Sequence, residues 1–523
     1  MEASLKKSIV SAFKMHGLSL RSDASNYLTE ILTVVNAVER EDWIDKILDE
    51  VQKQTLSSNI IDADVIEIAI KECNAEEDGG DQVFSVINAF DIPKYTYLTE
   101  KKKFIKYSEA NGCDAKLLSK AEHKVELFRE RYQLLHQRTM RHKLFTPPIP
   151  GMEDEASKKF KLRTVEYLLG CSSKLKDIIA LGMLSQLKER KYFLEDLTGA
   201  VELDLSQAKF HSGLFTENCF VLAEGWYEDN IFHVTAFGFP PPELAKTTRA
   251  YYGNINFFGG NSDASLKSST KLQQIEKENE DAMIVILSDV WFDQEKVLQK
   301  LETMFIGFQD AAPTCFVFCG NFISEPYGAN HIALLKESFN NFMKILLNFP
   351  SICQSSKFVF VPSLEDVGPS KIFPRPALPD CIAEPFMKKI PNAIFSSNPC
   401  RIQYCTQEIV IFREDIIGKM IKSCIRCPTE HIPSHFVKTI VAQAHLSPLP
   451  LYINPIYWQH DQALRLYPLP DLVIVADKTS EIFHETVELD CTIANPGSFS
   501  CCDYTFKVYY PSSKTIEDSK IED

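Results

Sequence analysis

No run of apolar residues in this 523-residue chain approaches the ~18–20 needed to span a bilayer. The opening stretch, "MEASLKKSIVSAFKMHGLSL", has only short apolar steps at helical spacing, so it does not read as a secretory signal. A basic excess is also lacking. Acidic residues number 71 against 56 basic, a formal net charge of −15. Phosphate neutralisation dominates nucleic-acid affinity, so this balance argues against autonomous, tight DNA binding. The Gly-rich "YYGNINFFGGNS" (251–262) has no P-loop lysine, and "FHSGLF" has no partner constellation for nucleophilic catalysis. Neither internal repeats nor low-complexity blocks occur. Fifteen cysteines without a secretory signal point to free thiols in a reducing, intracellular setting.

What is present is globular. Hydrophobic residues make up 45% and charged residues 24%, and the length implies roughly two to four domains. Residues 1–75 show apolar spacings of three and four (Leu5, Ile9, Phe13; Tyr27, Leu28, Ile31, Leu32, Val35; Ile44, Ile47, Leu48, Val51; Val65, Ile66, Ala69, Ile70), which predict a bundle of four short helices. Asp23 and Asp62 stand at cap positions and Gly17 at a helix stop. The acidic "NAEEDGGD" opens a linker and mixed segment, 76–155, with two short strands and a long basic amphipathic helix over 115–143. Its basic face reads as solvated surface in preference to a DNA contact.

Residues 156–250 switch to strands. Three fall in 178–206, with a turn at Asp196–Gly199, and two in 218–240 around Glu228-Asp229-Asn230. Five such strands suit an OB-type barrel. Tyr192, Phe193, Trp226 and Tyr227 are candidates for a base-stacking face. Because neighbours in a strand point to opposite sides, one of each pair is expected to fill the barrel instead. From 251 to 523, strands alternate with helical segments: "AMIVILSD", "TCFVFCGNF", "KFVFVPSLED", "LPLYINPIYW", "DLVIVAD" and "YTFKVYYPS", with a helix over 330–349. This is the pattern of a layered α/β domain. The expected fold class is therefore multidomain α+β: helical bundle, OB-type barrel, layered α/β domain.

Chemistry in open α/β sheets gathers past the carboxyl ends of strands. Those ends carry Asp289 in "SDVW", Asn321 in "GNF" and Asp366 in "PSLED", with His445 in a later turn, "QAHL". In order and type these resemble the ligand motifs of calcineurin-like metallophosphoesterases, whose paired metals need converging carboxylates, imidazoles and an amide ~3.5–4 Å apart. The carry-over is poor. Trp291 stands where the resemblance requires a histidine, and Asn321 where it requires a bridging carboxylate. "PSLED" lacks the amide and histidine, and nothing follows His445 as a second imidazole. Two or three plausible ligands cannot hold a metal pair or activate water. The expectation is no catalysis, no metal and no cofactor, with Asp289 fixing a loop or capping a helix and His445 bonding a backbone carbonyl. A rival metal set, Cys424, Cys427, His431 and His435, leaves only three residues between its pairs, too few to wrap a zinc ion. Cys315 and Cys319 read as buried small apolar groups.

Longer stretches narrow the comparison. "FTPPIPG", "YFLEDLTGAVELDLS", "FVLAEGWYEDNIFHV", "TRAYYGNINFFGG", "NPCRIQYCTQEIVIFRED", "AHLSPLPLYINPIYW" and "YPLPDLVIVADK" resemble the B subunits of replicative DNA polymerases, in the epsilon branch, along essentially the whole chain. The resemblance implies an N-terminal domain similar to the lid of AAA+ ATPases, an OB fold, and a phosphoesterase-like domain without activity. It also implies partners: the C-terminal zinc module of the DNA polymerase epsilon catalytic subunit, two small histone-fold subunits of the holoenzyme, and the GINS part of the replicative helicase, reached through the N-terminal domain. DNA would be met only within that complex, in the nucleus. Two readings from other classes stand beside it: an active metallophosphoesterase using ligands outside the motifs, such as His331 or His460, and a free-standing single-strand binder using the OB face.

Overall fold

The computed structural model describes residues 2–34, 40–53, 60–62, 65–66, 69–70, 83–107, 116–146, 160–253, 255–262, 264–325, 328, 330–487 and 489–522. The acidic stretch 74–81 lies outside them. Two compact units are present, Met1–Phe84 and Ser85–Asp523. Among the described residues no helix is long and apolar enough to cross a membrane.

The first unit holds helices Glu2–Met15, Ser22–Val34 and Arg40–Lys53. Gly17, at φ +76°, ends the first of them. The Leu18 amide donates to the Phe13 carbonyl at 3.0 Å and the Gly17 amide to the Lys14 carbonyl at 3.1 Å, a pairing that needs the left-handed backbone glycine adopts freely. Ile9, Phe13, Leu28, Leu32, Ile47 and Val51 meet in one core, as their three-and-four spacing requires. The unit is not wholly helical. Ser19–Leu20 pairs in parallel with Ile60–Ile61, strands of two residues and too short for alternation to show in sequence.

In the second unit the barrel strands are Leu175–Lys188, Lys191–Glu195, Ala200–Asp204, Phe220–Glu228 and Ile231–Gly238. They pair first to second to third, the fifth lies beside the fourth, and the fourth returns to the first. Ile231–His233 closes the barrel in parallel against Glu202–Asp204. Turn chemistry fixes the hairpins. Asp196 Oδ1 accepts from the Thr198 amide at 2.7 Å and the Gly199 amide at 3.1 Å, and Asp229 and Asn230 both take positive φ (52° and 62°), as a tight two-residue hairpin turn demands. Leu184, Leu194, Val201, Val221, Phe232 and Phe237 fill the interior.

Short strands Leu162–Arg163 and Lys209–Phe210 add to the barrel, Tyr95–Leu98 and Lys103–Lys106 pair as a hairpin, and the other strands of this unit form two six-stranded sheets. One runs Ala393–Phe395, Lys357–Val361, Cys315–Cys319, Ile284–Ser288, Thr505–Tyr510, Thr515–Lys520. Its first four strands are parallel. The other runs Phe483–Val487, Cys491–Asn495, Leu472–Ala476, Gln407–Arg413, Cys400–Tyr404, Phe84–Asn88. The sheets face each other, with Tyr509 Oη donating to Gln407 Oε1 across the gap at 3.0 Å. Val285, Leu287, Phe316 and Phe318 point outward to the core that includes helices Glu295–Gly307 and His331–Leu346. Val410, Phe412, Val473 and Val475 do the same toward helices Ile416–Ser423 and Ile432–Gln443. Both sheets are thus covered on both faces, which is why their strands read as continuous apolar runs.

Two expectations need correction. "LPLYINPIYW" is not a strand. With Pro448, Pro450 and Pro455 withholding N–H donors, it folds as turns in which Ile453 and Asn454 donate to the Pro450 carbonyl. The long helix, observed as Ala121–Arg141, does not leave its basic face solvated. Arg131 and Arg138 are buried: Arg131 pairs with Asp461, and Arg138 donates to the Ala442 carbonyl. Arg141 meets Glu243 at 2.6 Å. On the same helix Tyr132 and Leu135 pack with Leu181 and Phe220 of the barrel. This one helix therefore joins barrel and sandwich.

Candidate functional site

The carboxyl ends of the central strands meet between the two sheets. Asp289 follows strand Ile284–Ser288 with a left-handed φ of 56° and is fully buried. Its Oδ2 accepts from Ser498 Oγ at 2.6 Å and its Oδ1 from Trp291 Nε1 at 3.2 Å. Ser500 completes the loop, accepting from the Trp291 amide at 3.1 Å and donating to the Asp289 carbonyl at 2.8 Å. The half-buried Trp291 also lies against the core outside the first sheet. Asp289 fixes a loop; the helix that follows begins later, at Glu295.

Asn321 and Asp366 form the next layer, both buried. Asp366 Oδ1 accepts from the Phe322 amide at 3.0 Å and Oδ2 from the Ser363 amide at 2.8 Å, tying two strand-end loops together. A Cβ on Gly320 would collide with that carboxylate and the Ser363 amide, so only glycine fits there. Burial pushes the Asp366 carboxyl up from its ordinary range, while the two amides and Arg413 pull it down.

Arg413 occupies the centre. It ends strand Gln407–Arg413, is 2% exposed, and donates from Nε to the Gly320 carbonyl. Its Nη1 reaches Asp415 Oδ1 at 2.7 Å and the Ala476 carbonyl at 2.9 Å, and its Nη2 stands 4.0 Å from Asp289 Oδ1. Burial alone would lower the guanidinium's pKa, but the Asp415 and Asp289 carboxylates hold it above the ordinary value. A fixed organic cation thus lies among these strand ends. Among the described residues no three histidine, cysteine, aspartate or glutamate side chains converge as metal ligands.

His445 is elsewhere. Its Nδ1 accepts from the Ser447 amide at 3.0 Å, which leaves the proton on Nε2, facing Asp461 Oδ1 at 3.2 Å. Its partner is a carboxylate and not the backbone carbonyl expected. Arg131 Nη2 reaches the same Asp461 oxygen at 2.5 Å, and Arg465 bridges Glu130 at 3.1 Å and Asp461 at 4.0 Å. Burial first, then the neighbouring Arg131, lowers the imidazole to about 4. Burial pushes the Asp461 carboxyl up, but Arg131 and His445 outweigh it and hold the group far below the usual carboxylate range. The sequence brought His445 into the strand-end set; the fold spends it on anchoring the basic helix.

On the barrel, Tyr192 packs toward the interior, and Phe193 pairs with Ser185 and Glu202 on adjoining strands. Tyr227 is buried. Trp226 stacks on His233 with ring centroids 3.8 Å apart and carries Lys174 Nζ 4.0 Å from its centroid. Two groups that close cannot share one face, so neither face of the indole is open to a base. Cys424 and Cys427 donate to the Arg426 and Pro428 carbonyls, and His435 Nδ1 accepts from the Gly213 amide at 2.7 Å. These three side chains are engaged separately.

An OB barrel clasped to a two-sheet phosphoesterase-type sandwich defines the class, and comparison supports it domain by domain. Residues 284–485 match the family model for the B subunits of DNA polymerases alpha and epsilon. Residues 121–241 match "DNA polymerase epsilon subunit 2-like, OB-fold domain", and residues 1–73 "DNA polymerases epsilon N terminal". The chain is 55% identical to DNA polymerase epsilon subunit 2 of Mus musculus and 54% to that of Homo sapiens, covering 99% of each chain in both cases. It is 39% identical to the Drosophila melanogaster protein, over 99% of this chain and 98% of that one. The chain belongs to the DNA polymerase epsilon subunit 2 family.

Proposed function

We propose that this chain is the non-catalytic accessory subunit of DNA polymerase epsilon, a scaffold whose phosphoesterase-type centre has been converted from a metal site into a structural ion cluster. Arg413 carries this reading. Its charge answers Asp289 and Asp415, its Nε and Nη1 donate to the Gly320 and Ala476 carbonyls, and the cluster needs no dication. A fold relieved of its chemistry is retained for the surface it presents. Barrel and sandwich together bind the C-terminal zinc module of the catalytic subunit, and the holoenzyme adds two small histone-fold subunits. The N-terminal unit, similar to an AAA+ lid, contacts the GINS part of the replicative helicase. The complex works in the nucleus, and the barrel meets DNA only within it. The acidic total charge and the enclosed Trp226 fit that restriction.

Co-purification tests the reading. The full chain is expected to retain the polymerase large subunit when that subunit's cysteine-rich end is present and to lose it when the end is removed. Deleting residues 1–80 is expected to leave this association intact, because the N-terminal unit has its own core. Retention without the cysteine-rich end, or loss on deletion of 1–80, would contradict the division of labour.

A further inference from the structure

Arg401 is a buried cation with no counter-ion of its own. It lies in strand Cys400–Tyr404, is 5% exposed, and among the described residues has no carboxylate within ion-pair distance. Its Nη1 donates to the Phe257 and Phe258 carbonyls at 2.9 and 3.0 Å, and its Nη2 to the Arg465 and Gln462 carbonyls at 3.0 and 3.4 Å. The Nε–H has no acceptor. Neutral carbonyls satisfy hydrogen bonds but leave a full charge in a low-dielectric interior, and arginine cannot shed its proton to relieve it.

A cavity of about 10 Å³ lies beside this group, lined by Arg249, Arg401, Arg465, Glu408, Phe258 and Tyr467 among others. Three guanidinium groups and one carboxylate therefore border it. The carboxylate is committed: Glu408 Oε1 and Oε2 accept from Arg249 Nη2 at 2.9 and 2.7 Å. Arg465 is paired with Glu130. Among the described residues Arg401 has no direct ion pair, only the more distant field of the Glu408 carboxylate already paired with Arg249. The cavity is partly open and has room for a small occupant at least the size of a water.

We infer that this cavity is a binding site for a single halide-sized monovalent anion, chloride in physiological salt, accepted by Arg401 Nε and held in the field of the three arginines. The site joins the loop at 257–258, the strand at 400–404 and the segment at 462–467. Its ligand thereby ties the chain leaving the barrel to the second sheet. A guanidinium donates a charge-assisted hydrogen bond to water and anion alike, so the preference for an anion rests on the excess of positive charge around the cavity.

Two measurements on the full chain test it. Crystals soaked in sodium bromide are expected to show an anomalous peak within hydrogen-bonding distance of Arg401 Nε; a cavity that holds water alone under bromide would overturn the inference. Thermal unfolding is expected to shift upward by about 2–4 °C, in a saturable manner, when gluconate is exchanged for chloride at constant sodium and ionic strength. Arg401→Lys, which keeps the charge but not the Nε donor, is expected to lose most of that shift. An equal chloride shift in wild type and Arg401→Lys, or no shift in wild type, would contradict the assignment.

Discussion

Arg413→Ala is expected to lower the unfolding free energy by about 3–5 kcal/mol, the cost of removing one partner from a buried ion cluster. The deletion leaves the Asp289 carboxylate without its cation and strips the Gly320 and Ala476 carbonyls of a donor. Ser498 and Trp291 would still hold Asp289, but neutral donors do not offset a buried charge. Asp415 is less affected because it is partly exposed and also accepts from the Lys478 amide at 3.0 Å. Arg413→Lys recovers little, since one ammonium cannot reach two carbonyls and a carboxylate in three directions. Urea unfolding of the purified chain measures the difference. An unfolding free energy within about 1 kcal/mol of wild type would show that the strand ends do not depend on this cation.

The second large effect lies in the anchor of the basic helix. Asp461→Asn is expected to cost ~3–5 kcal/mol, because it leaves the buried Arg131 guanidinium unanswered while keeping the side chain's shape. The same cluster sets a pH dependence. His445 is held at about 4, below its ordinary 6.5, so the folded state prefers the neutral ring. Its contribution is fully present above pH 6.5 and is lost as pH falls through about 4, a loss of ~3 kcal/mol. Asp461, also held low, adds a loss of the same sign under more acidic conditions. His445→Gln is expected to flatten the stability profile between pH 6.5 and 4. An unchanged slope in that variant would assign the acid sensitivity to other groups.

Much of the domain-scale plan was legible because it rests on periodicity. The barrel hairpins announced themselves through Asp196 and Asp229-Asn230, and the first three sandwich strands through apolar runs ending in Asp289, Asn321 and Asp366. The segment "LPLYINPIYW" reads as a strand by its apolar content, while its prolines withhold the N–H donors a strand needs. Arg413 is hard to read from sequence for a different reason. In "QEIVIFR" both faces are apolar, with Val410 and Phe412 outward and Ile409 and Ile411 on the side of Arg413, so alternation gives no clue that the last side chain turns inward. A charge ending a strand apolar on both faces was the available signal. His445 bonds Asp461 away from that set because motif order says nothing of whether a turn returns to the same sheet ends, and the buried Arg131 is hidden in a helix whose composition resembles a solvated one.

Metal content and hydrolysis measured on one preparation test the central claim most directly. Purified under manganese and then desalted, the chain is expected to carry far less than one equivalent of metal and to show no manganese-stimulated cleavage of a phosphodiester, because Arg413 supplies the positive charge between Asp289 and Asp415. Stoichiometric manganese, with turnover that follows the protein through purification and disappears in Asp289→Ala, would contradict it.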